Sequence, residues 1–261
     1  MPSQDNGRIR FMTLNLRFGR AQDGPNAWSH RLQAYAPLFE AFPSEVYCFQ
    51  EANDFQITAL NAWLPGHRSI GIRRPAPPFW QHDPIFYPET WHLVAWERIY
   101  LSPTPLVPSR QRSSKWPRQC TIGHFRHGSR DILCVNTHLD FAPETQRESA
   151  RIIAGRLCHY PAAAPCIVAG DFNAGPGGGC HRLMTGHGWV PGRRFRSVFG
   201  ETPPGSFHGF SGNIKGRHID WILYDGPLRV IAAQAVTRSF SGVFPSDHYP
   251  MTSTLAYADD R

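Results

Sequence analysis

Two short segments carry the side chains best suited to chemistry on a phosphate ester. The run Val-Ala-Gly-Asp-Phe-Asn places Asp171 and Asn173 at the end of an apolar stretch, and Pro-Ser-Asp-His-Tyr-Pro contains Asp247 and His248. A carboxylate can orient or deprotonate a water molecule, and an imidazole beside a carboxylate can transfer a proton or polarise a phosphoryl oxygen. This combination is typical of metal-assisted hydrolysis of phosphate esters.

Similar polar side chains recur at the ends of apolar runs that have the pattern of β-strands. The recurring residues are Asn15, Glu51, Asn136, His138, Asp140, Asp171, Asn173, Asp220 and the pair Asp247-His248. One such residue is weak evidence, because an aspartate at a strand end is often a turn former. Recurrence at six separate strand ends is much less expected by chance and predicts that these groups meet in one site.

Glu51 is the expected metal ligand, with Asn15 and Asp247 beside it. A carboxylate is a hard oxygen ligand that suits Mg²⁺ or Mn²⁺ with several waters retained. A metal with few protein ligands can be shared with a substrate phosphate, whose phosphoryl oxygen it polarises. The structural alternative for Glu51 is a carboxylate at a helix N-terminus, where the helix dipole favours it.

The expected catalytic residues are Asp171, Asn173, His138, His248 and Asp220. Asp171 would orient or deprotonate the attacking water, while Asp220 would hold the imidazole of His248. Asn173 would form a hydrogen bond near the developing charge. Turn formation or helix capping is the structural alternative for Asp171 and Asn173.

Polar groups close to these motifs are candidates for substrate binding. They are Asn136, Arg17, Arg31, Arg118 and His208. The alternatives are packing of the first helix for Arg17 and Arg31, and ordinary loop polarity for Arg118 and His208. The basic stretch that begins at Arg193 could hold a nucleic-acid backbone, or could be a solvated loop.

The composition is that of a chain that buries a core and has a basic surface. Of the 261 residues, 41% are hydrophobic and 18% charged, with a net charge of +7. Positive charge attracts partners that carry phosphate, although it also serves solubility. The six cysteines include no C-x-x-C pair, which favours free thiols over a zinc site. No signal peptide or transmembrane run is visible, so a cytoplasmic protein with no membrane span is expected.

Period-two and helical spacings predict that strands alternate with helices. Helices are expected at 28–42, 52–64, 144–159 and within 177–188, and strands at 8–16, 46–49, 91–100, 120–125, 131–139, 165–169, 219–224, 228–236 and 251–257. No repeat or linker divides the chain. We therefore expect one α/β domain over residues 1–261, with mixed sheets and a core at about 8–257.

These motifs together resemble the endonuclease/exonuclease/phosphatase superfamily, which has the deoxyribonuclease I-like fold, and in particular its small prokaryotic members. The motifs that carry the resemblance are Asn15, Gln50-Glu51, Asn136-Thr137-His138, residues 170–173, Ile219-Asp220-Trp221 and residues 246–250. Their order and rough spacing match over residues 8–257. The resemblance implies a four-layer α/β sandwich, in which two mixed β-sheets pack face to face with helices outside. It also implies an active site in a cleft at one sheet edge.

Two departures argue against an abasic-site endonuclease. The segment Asn-Thr-His-Leu that ends at Leu139 is similar to the deoxyribonuclease- and deadenylase-like members, whereas abasic-site endonucleases usually have a tyrosine there. Leu16-Arg17 replaces the acidic residue of the exonuclease III branch.

The small prokaryotic members often carry a glutamate a few residues before Pro-Ile-Phe-Tyr. Here Gln81 and Asp83 lie near that place, which leaves the partner of His138 open.

The function predicted is a metal-dependent phosphoesterase that uses Mg²⁺ or Mn²⁺ and in-line attack of water. A phosphodiester is favoured, with nucleic acid as a candidate because of the basic charge. A phosphomonoester of a small sugar, inositol or nucleotide stays open. The alternative from another class is a non-catalytic member of the fold that binds RNA or protein, against which the intact Glu51, Asp171 and His248 argue. The sequence names no protein partner.

Overall fold

The computed structural model describes residues 7–258, which form two six-stranded β-sheets with helices on their outer faces. The first sheet contains β1 (Arg8–Asn15), β2 (Val46–Gln50), β3 (His67–Ile70), β4 (Ile85–Pro88), β11 (Leu228–Ala235) and β12 (Met251–Tyr257). The second contains β5 (His92–Tyr100), β6 (Gln119–His127), β7 (Arg130–His138), β8 (Cys166–Asp171), β9 (Arg196–Ser197) and β10 (Asp220–Asp225).

Both sheets are mixed. The strand orders are β11-β12-β1-β2-β4-β3 and β5-β6-β7-β8-β10-β9. The pairs β1–β2 and β7–β8 are parallel, and the neighbouring strands in each sheet are otherwise antiparallel. The helices are α1 (Trp28–Arg31), α2 (Tyr35–Ala41), α3 (Asp54–Trp63), α4 (Pro143–Leu157) and α5 (Gly179–Thr185).

Three buried apolar layers hold these elements together. Phe11 and Ile167 belong to the layer between the two sheets. Leu14 packs in the layer with α2 and α3, and Val168 packs in the layer with α4. The resulting order of helices, sheet, sheet and helices confirms the predicted four-layer sandwich.

The strand period explains why polar residues collect at one end of the layer between the sheets. Successive side chains of a strand point to opposite faces. On β8, Ile167 and Ala169 lie in the inner core, and Asp171 takes the next inner position. On β7, Cys134 lies in the same core and His138 stands four residues later on the same face. The apolar filling between the sheets therefore gives way to polar groups where these parallel strands end.

Most predicted elements are present, with bounds shifted by a few residues. The helix predicted at 28–42 consists of α1 and α2, which a 3₁₀ turn at Leu32–Ala34 separates. The sequence pattern does not predict β3, because His-Arg-Ser-Ile has neither an apolar run nor a strict alternation. The described residues contain no helix that is both long and apolar enough to cross a membrane.

Gly170 is required by the close approach of β7 and β8. Its φ is +140°, and a Cβ there would lie 1.9 Å from the carbonyl oxygen of Thr137. We expect Gly170→Ala to lower the free energy of unfolding by about 3 kcal/mol or more, because backbone must move to relieve the clash. Denaturant unfolding measures this change.

Gly155 is the matched control for that substitution. It lies within α4, and nothing lies within 4 Å of a Cβ built there. Gly155→Ala should raise the free energy of unfolding by about 0.5–1 kcal/mol through helix propensity. Equal stabilities for the two variants would contradict the steric argument.

Candidate active site

Asp171, Asp220 and His248 meet on the inner face of the second sheet. Asp171 ends β8, Asp220 begins β10, and the antiparallel register places them directly opposite each other. Nδ1 of His248 lies 2.8 Å from Oδ2 of Asp220, and Nε2 lies 3.8 Å from Oδ2 of Asp171. All three residues are buried. A cationic imidazole beside both carboxylates offsets the repulsion between two like charges.

The pKa values in this group follow from burial and from the neighbouring charges. Burial lowers the pKa of His248, but the charge and hydrogen bond of Asp220, with Asp171 and Asp247, raise it to about 10. Burial and the charge of Asp220 raise the pKa of Asp171 to about 7, against the opposing charge of His248. Near neutral pH, His248 is therefore an imidazolium that donates to Asp220, and Asp171 is a carboxylate close to its midpoint. A base with such a pKa is well matched to proton transfer at that pH.

Asn15 and Glu51 reach the same place from the first sheet. Asn15 ends β1, and Glu51 directly follows β2. Nδ2 of Asn15 donates to Oε1 of Glu51 at 3.1 Å and to Oδ2 of Asp171 at 3.0 Å. The backbone N–H of Phe18 donates to Oε2 of Glu51 at 2.6 Å. These bonds fix the Glu51 carboxylate and join the two sheets across the candidate site.

Backbone strain concentrates at this end of the sandwich. Arg17, Glu51 and Asn173 have φ values of +61°, +60° and +50°. They are three of the five non-glycine residues with positive φ in the described chain. Such conformations cost about 1–3 kcal/mol each and persist where the surrounding structure enforces them, as it does at functional sites.

His138 lies on the other side of Asp171. It ends β7, and the parallel register pairs it with Asp171. Its Nε2 is 3.1 Å from Nδ2 of Asn173 and 3.5 Å from Oδ2 of Asp171. Burial, with the charges of Arg118 and His248, holds the pKa of His138 well below its usual range. The Nε2 atom of the neutral ring therefore accepts a hydrogen bond from the side-chain amide of Asn173. Asn173 is thus a hydrogen-bond partner of His138 in the structure.

Arg31 supports the segment before His248 through backbone hydrogen bonds and does not line the cavity described below. Its guanidinium donates to the backbone carbonyls of Leu16, at 3.0 Å, and of Pro245. The hydroxyl of Tyr35 donates to the same Pro245 carbonyl at 2.8 Å. The side chain is only 1% exposed. Although a substrate contact was predicted for it, Arg31 has all its contacts in the interior and positions the turn that precedes His248.

Asn136 and His208, also predicted to bind substrate, lie in the interior as well. The amide of Asn136 donates to the carbonyl of Phe49 and accepts from Nε2 of Gln50, both at 2.7 Å. It therefore joins the two sheets beneath the site. His208 stacks on Tyr249, with ring centroids 3.9 Å apart, and burial lowers its pKa to about 4. Neither residue lines the cavity described below.

The basic stretch that begins at Arg193 alternates buried and exposed residues. Arg193 donates to the carbonyls of Pro161 and Ala164 and pairs with Asp225 at 3.2 Å. Phe195 packs in the core of the second sheet. Arg193 and Phe195 are therefore structural, whereas Arg194 and Arg196 are exposed.

Arg17 follows β1 and Asp247 precedes β12, so the two residues meet at the end of the first sheet. Nη2 of Arg17 pairs with Oδ1 of Asp23 at 2.8 Å, and its Nε lies 3.8 Å from Oδ2 of Asp247. The hydrogen bond to Asp23 raises the pKa of Arg17 above its usual range. Oδ1 of Asp247 accepts a hydrogen bond from the hydroxyl of Ser246 at 3.1 Å. Asp247 is thus held by Arg17 and Ser246, and does not join the Asp171 group directly.

A cavity of ≈ 550 Å³ opens beside these residues. Four predicted site residues line it, namely Arg17, Glu51, Arg118 and His138. The other lining residues are Phe18, Phe79, Trp80, Gln81, Asp83, Trp116, Pro117, Gln119 and Phe141. Gln81 and Asp83 lie near the position at which the sequence left the partner of His138 open, and no site role was predicted for the rest. Several of them are large aromatic residues that lie near prolines in loops with no strand or helix periodicity. That pattern is the sequence signal that could have indicated them.

One family model covers the part of the chain that contains these site residues. The sequence matches the Endonuclease/Exonuclease/phosphatase family over residues 12–248. The chain belongs to the endonuclease/exonuclease/phosphatase family. The match covers the candidate site from Asn15 to His248 and confirms the predicted membership. No curated protein sequence matches the chain significantly.

Solved structures share the family fold over nearly the whole chain. An endonuclease/exonuclease/phosphatase from Bacteroides vulgatus is 22% identical, with a TM-score of 0.86 over 96% of this chain and 99% of the other. The mannosyl-6-phosphatase Bt3783 of Bacteroides thetaiotaomicron is 23% identical, with a TM-score of 0.83 over 95% and 100%. TDP2 of D. rerio, complexed with a single-strand DNA product, is 12% identical, with a TM-score of 0.74 over 95% and 98%. At these sequence identities the similarity shows a shared fold alone.

Proposed function

We propose that the protein is a divalent-metal-dependent phosphoesterase that hydrolyses a phosphodiester by in-line attack of an activated water. The observation that carries the proposal is the convergence of Glu51, Asp171 and His248 from separate strand ends. Asp171, held by Asn15 and by the backbone N–H of Asn173, orients and deprotonates the water. The imidazolium of His248, fixed by Asp220, stabilises negative charge on the phosphoryl oxygens.

The donor set fits a hard divalent cation. Glu51 lines the cavity, and its carboxylate is oriented by the N–H groups of Asn15 and Phe18. Asp171, Asp220 and His248 also bring potential ligand atoms within 4.8 Å of one another. Because Glu51 lines the cavity whereas Asp171, Asp220 and His248 do not, we assign the cation to Glu51, with Asn15 and the Asp171 edge nearby. A Mg²⁺ or Mn²⁺ ion bound there would polarise the phosphoryl oxygen.

A phosphomonoester of a small metabolite is the second candidate. The cavity beside Glu51 and His138 has the volume of a small-molecule pocket. The likeness to a mannosyl-6-phosphatase makes a sugar phosphate a concrete example to test.

The experiment is hydrolysis of bis(p-nitrophenyl) phosphate and p-nitrophenyl phosphate by the purified protein. Turnover with Mg²⁺ or Mn²⁺, and its loss on addition of EDTA, is the expected result. The ratio of the two activities separates a diesterase from a monoesterase. If neither ester is turned over with either metal, the proposed function is wrong, and the non-catalytic alternative gains support.

The pKa values predict a bell-shaped dependence of kcat/KM on pH. Asp171, whose pKa is about 7, is protonated below that value, so the rate should rise with pH through about 7. His248, whose pKa is about 10, loses its proton above that value, so the rate should fall there. The measurement is kcat/KM between pH 5 and about 10.5 at saturating metal.

Asp220→Asn tests the assignment of the acidic limb of the pH profile to Asp171 and of the alkaline limb to His248. The charge of Asp220 raises the pKa of both Asp171 and His248, so its removal should move both limbs to lower pH. An unchanged alkaline limb in this variant would contradict the assignment of that limb to His248.

A further inference from the structure

Three aromatic side chains of the cavity are exposed to solvent. Phe79, Trp116 and Phe141 are 64%, 56% and 69% exposed, and all three line the cavity. They belong to three separate connections, between β3 and β4, between β5 and β6, and between β7 and α4. We name these three residues the aromatic wall. Large apolar side chains exposed together at a cleft indicate a ligand surface.

Arg118 supplies positive charge in the same cavity. It is 8% exposed, and its Nε is buried without a hydrogen-bond partner among residues 7–258. Its ion-pair partner Asp140 is 3.9 Å away, from Nε to Oδ2. The guanidinium carbon lies 5.6 Å from the ring centroid of Phe141, so the charge stands next to the aromatic wall. A guanidinium with unused donors favours a phosphate, whose oxygens match its planar fork.

We propose that the aromatic wall binds the nucleobase of a substrate whose phosphate lies next to Arg118. This inference rests on the proposed phosphoesterase function and names its substrate class. A base has a flat π-face that stacks on aromatic side chains, and such stacking tolerates any base. A hexose can also stack its C–H face on an aromatic ring, and Gln81, Asp83 and Gln119 of the same cavity can bind its hydroxyl groups, so hexose 6-phosphate is the competing substrate in the test. The nucleotide is either free or part of a single strand.

Two matched substrate pairs test the inference and distinguish its sources. One pair is a single-stranded oligodeoxynucleotide and the same strand with abasic tetrahydrofuran residues. The other pair is a nucleoside 5′-monophosphate and ribose 5-phosphate. In whichever pair the protein hydrolyses, we expect kcat/KM to be higher for the member that carries a base than for the member that lacks it. The expected difference is about 5- to 100-fold per stacked base. The pair that responds identifies the source.

Variants of the wall should remove this preference. Phe79→Ala and Trp116→Ala are each expected to lower the ratio of kcat/KM between the base-bearing substrate and its partner without a base by about 5-fold or more. Trp96→Ala is the control, because Trp96 is 44% exposed on β5 but does not line the cavity. Equal kcat/KM within both pairs, or a preference for hexose 6-phosphate over base-bearing substrates, would overturn the inference and leave the phosphoesterase function intact.

A binding measurement separates failure of the inference from failure of the proposed function. Asp171→Asn protein is titrated with nucleoside 5′-monophosphate and, separately, with the single-stranded oligodeoxynucleotide, and tryptophan fluorescence is followed. Quenching that is weaker with Trp116→Phe and unchanged with Trp96→Phe is expected, because Trp80 also lines the cavity and keeps part of the signal. Absence of quenching by both the nucleoside 5′-monophosphate and the oligodeoxynucleotide overturns the base site even if the protein hydrolyses other esters. Quenching without turnover of any ester supports the base site and overturns the hydrolytic function.

Discussion

Asp171→Asn is expected to lower kcat by about 10³-fold, because it removes the base that activates water and preserves the shape of the side chain. KM should change much less. Asp171 is buried, faces Asp220 directly across the β8–β10 pair, and has its pKa raised to about 7. The variant should therefore melt at or above the temperature of the wild-type protein, because an unfavourable buried charge is removed. Steady-state kinetics and thermal unfolding are the two measurements.

Asp131→Asn is the matched control for this prediction. Asp131 lies on β7 far from the site, where it pairs with the exposed Arg126. Its substitution should leave kcat within about twofold of the wild-type value, since an exposed ion pair contributes little. A wild-type rate in Asp171→Asn would remove Asp171 from the mechanism, and a large loss in Asp131→Asn would point to a general defect.

Glu51→Gln is expected to raise the Mg²⁺ or Mn²⁺ concentration required for half-maximal activity by about 10- to 100-fold. At saturating metal, kcat should still be reduced by about 10²-fold, because the charge and ligand geometry of the metal position are altered. The amide keeps an oxygen for the hydrogen bond from Phe18, so the fold should be preserved. Metal titrations of activity, with direct binding of Mn²⁺ as a second readout, measure the effect.

Glu148→Gln provides the control for the loss of a carboxylate. Glu148 is exposed on α4 and pairs with Arg151 one helical turn away. Its substitution should shift neither the metal titration nor kcat. A wild-type metal response in Glu51→Gln would instead locate the metal at the Asp171, Asp220 and His248 group.

Asp171→Asn and Glu51→Gln test two parts of the same hydrogen-bonded group. Asn15 donates to both Glu51 and Asp171, so the metal position and the base are joined by one side chain. The backbone of Gly170, directly before Asp171, packs too closely on β7 to admit any side chain. The site therefore depends on the close pairing of β7 and β8 as much as on its charged groups.

The sequence by itself was sufficient for the fold class, and it named strand-end residues that the structure brings together at one end of the sandwich. Period-two alternation places Asp171 and His138 on the same faces as the apolar core residues before them. Polar groups on such a face cannot be explained as solvated strand surface, so their position at strand ends carried information. The pattern did not reveal β3, whose four residues depend on pairing with β4.

Only the tertiary structure decided which polar residues face the cavity. Arg31 and Arg118 are both arginines near the motifs, yet the first is bound to the carbonyls of Leu16 and Pro245 while the second lines the cavity. The aromatic wall likewise comes from three connections that have no periodic pattern. Sequence alternation specifies the face of a strand, because the backbone repeats there. In loops no repeat exists, so the direction of each side chain is set by contacts with residues far away in the chain.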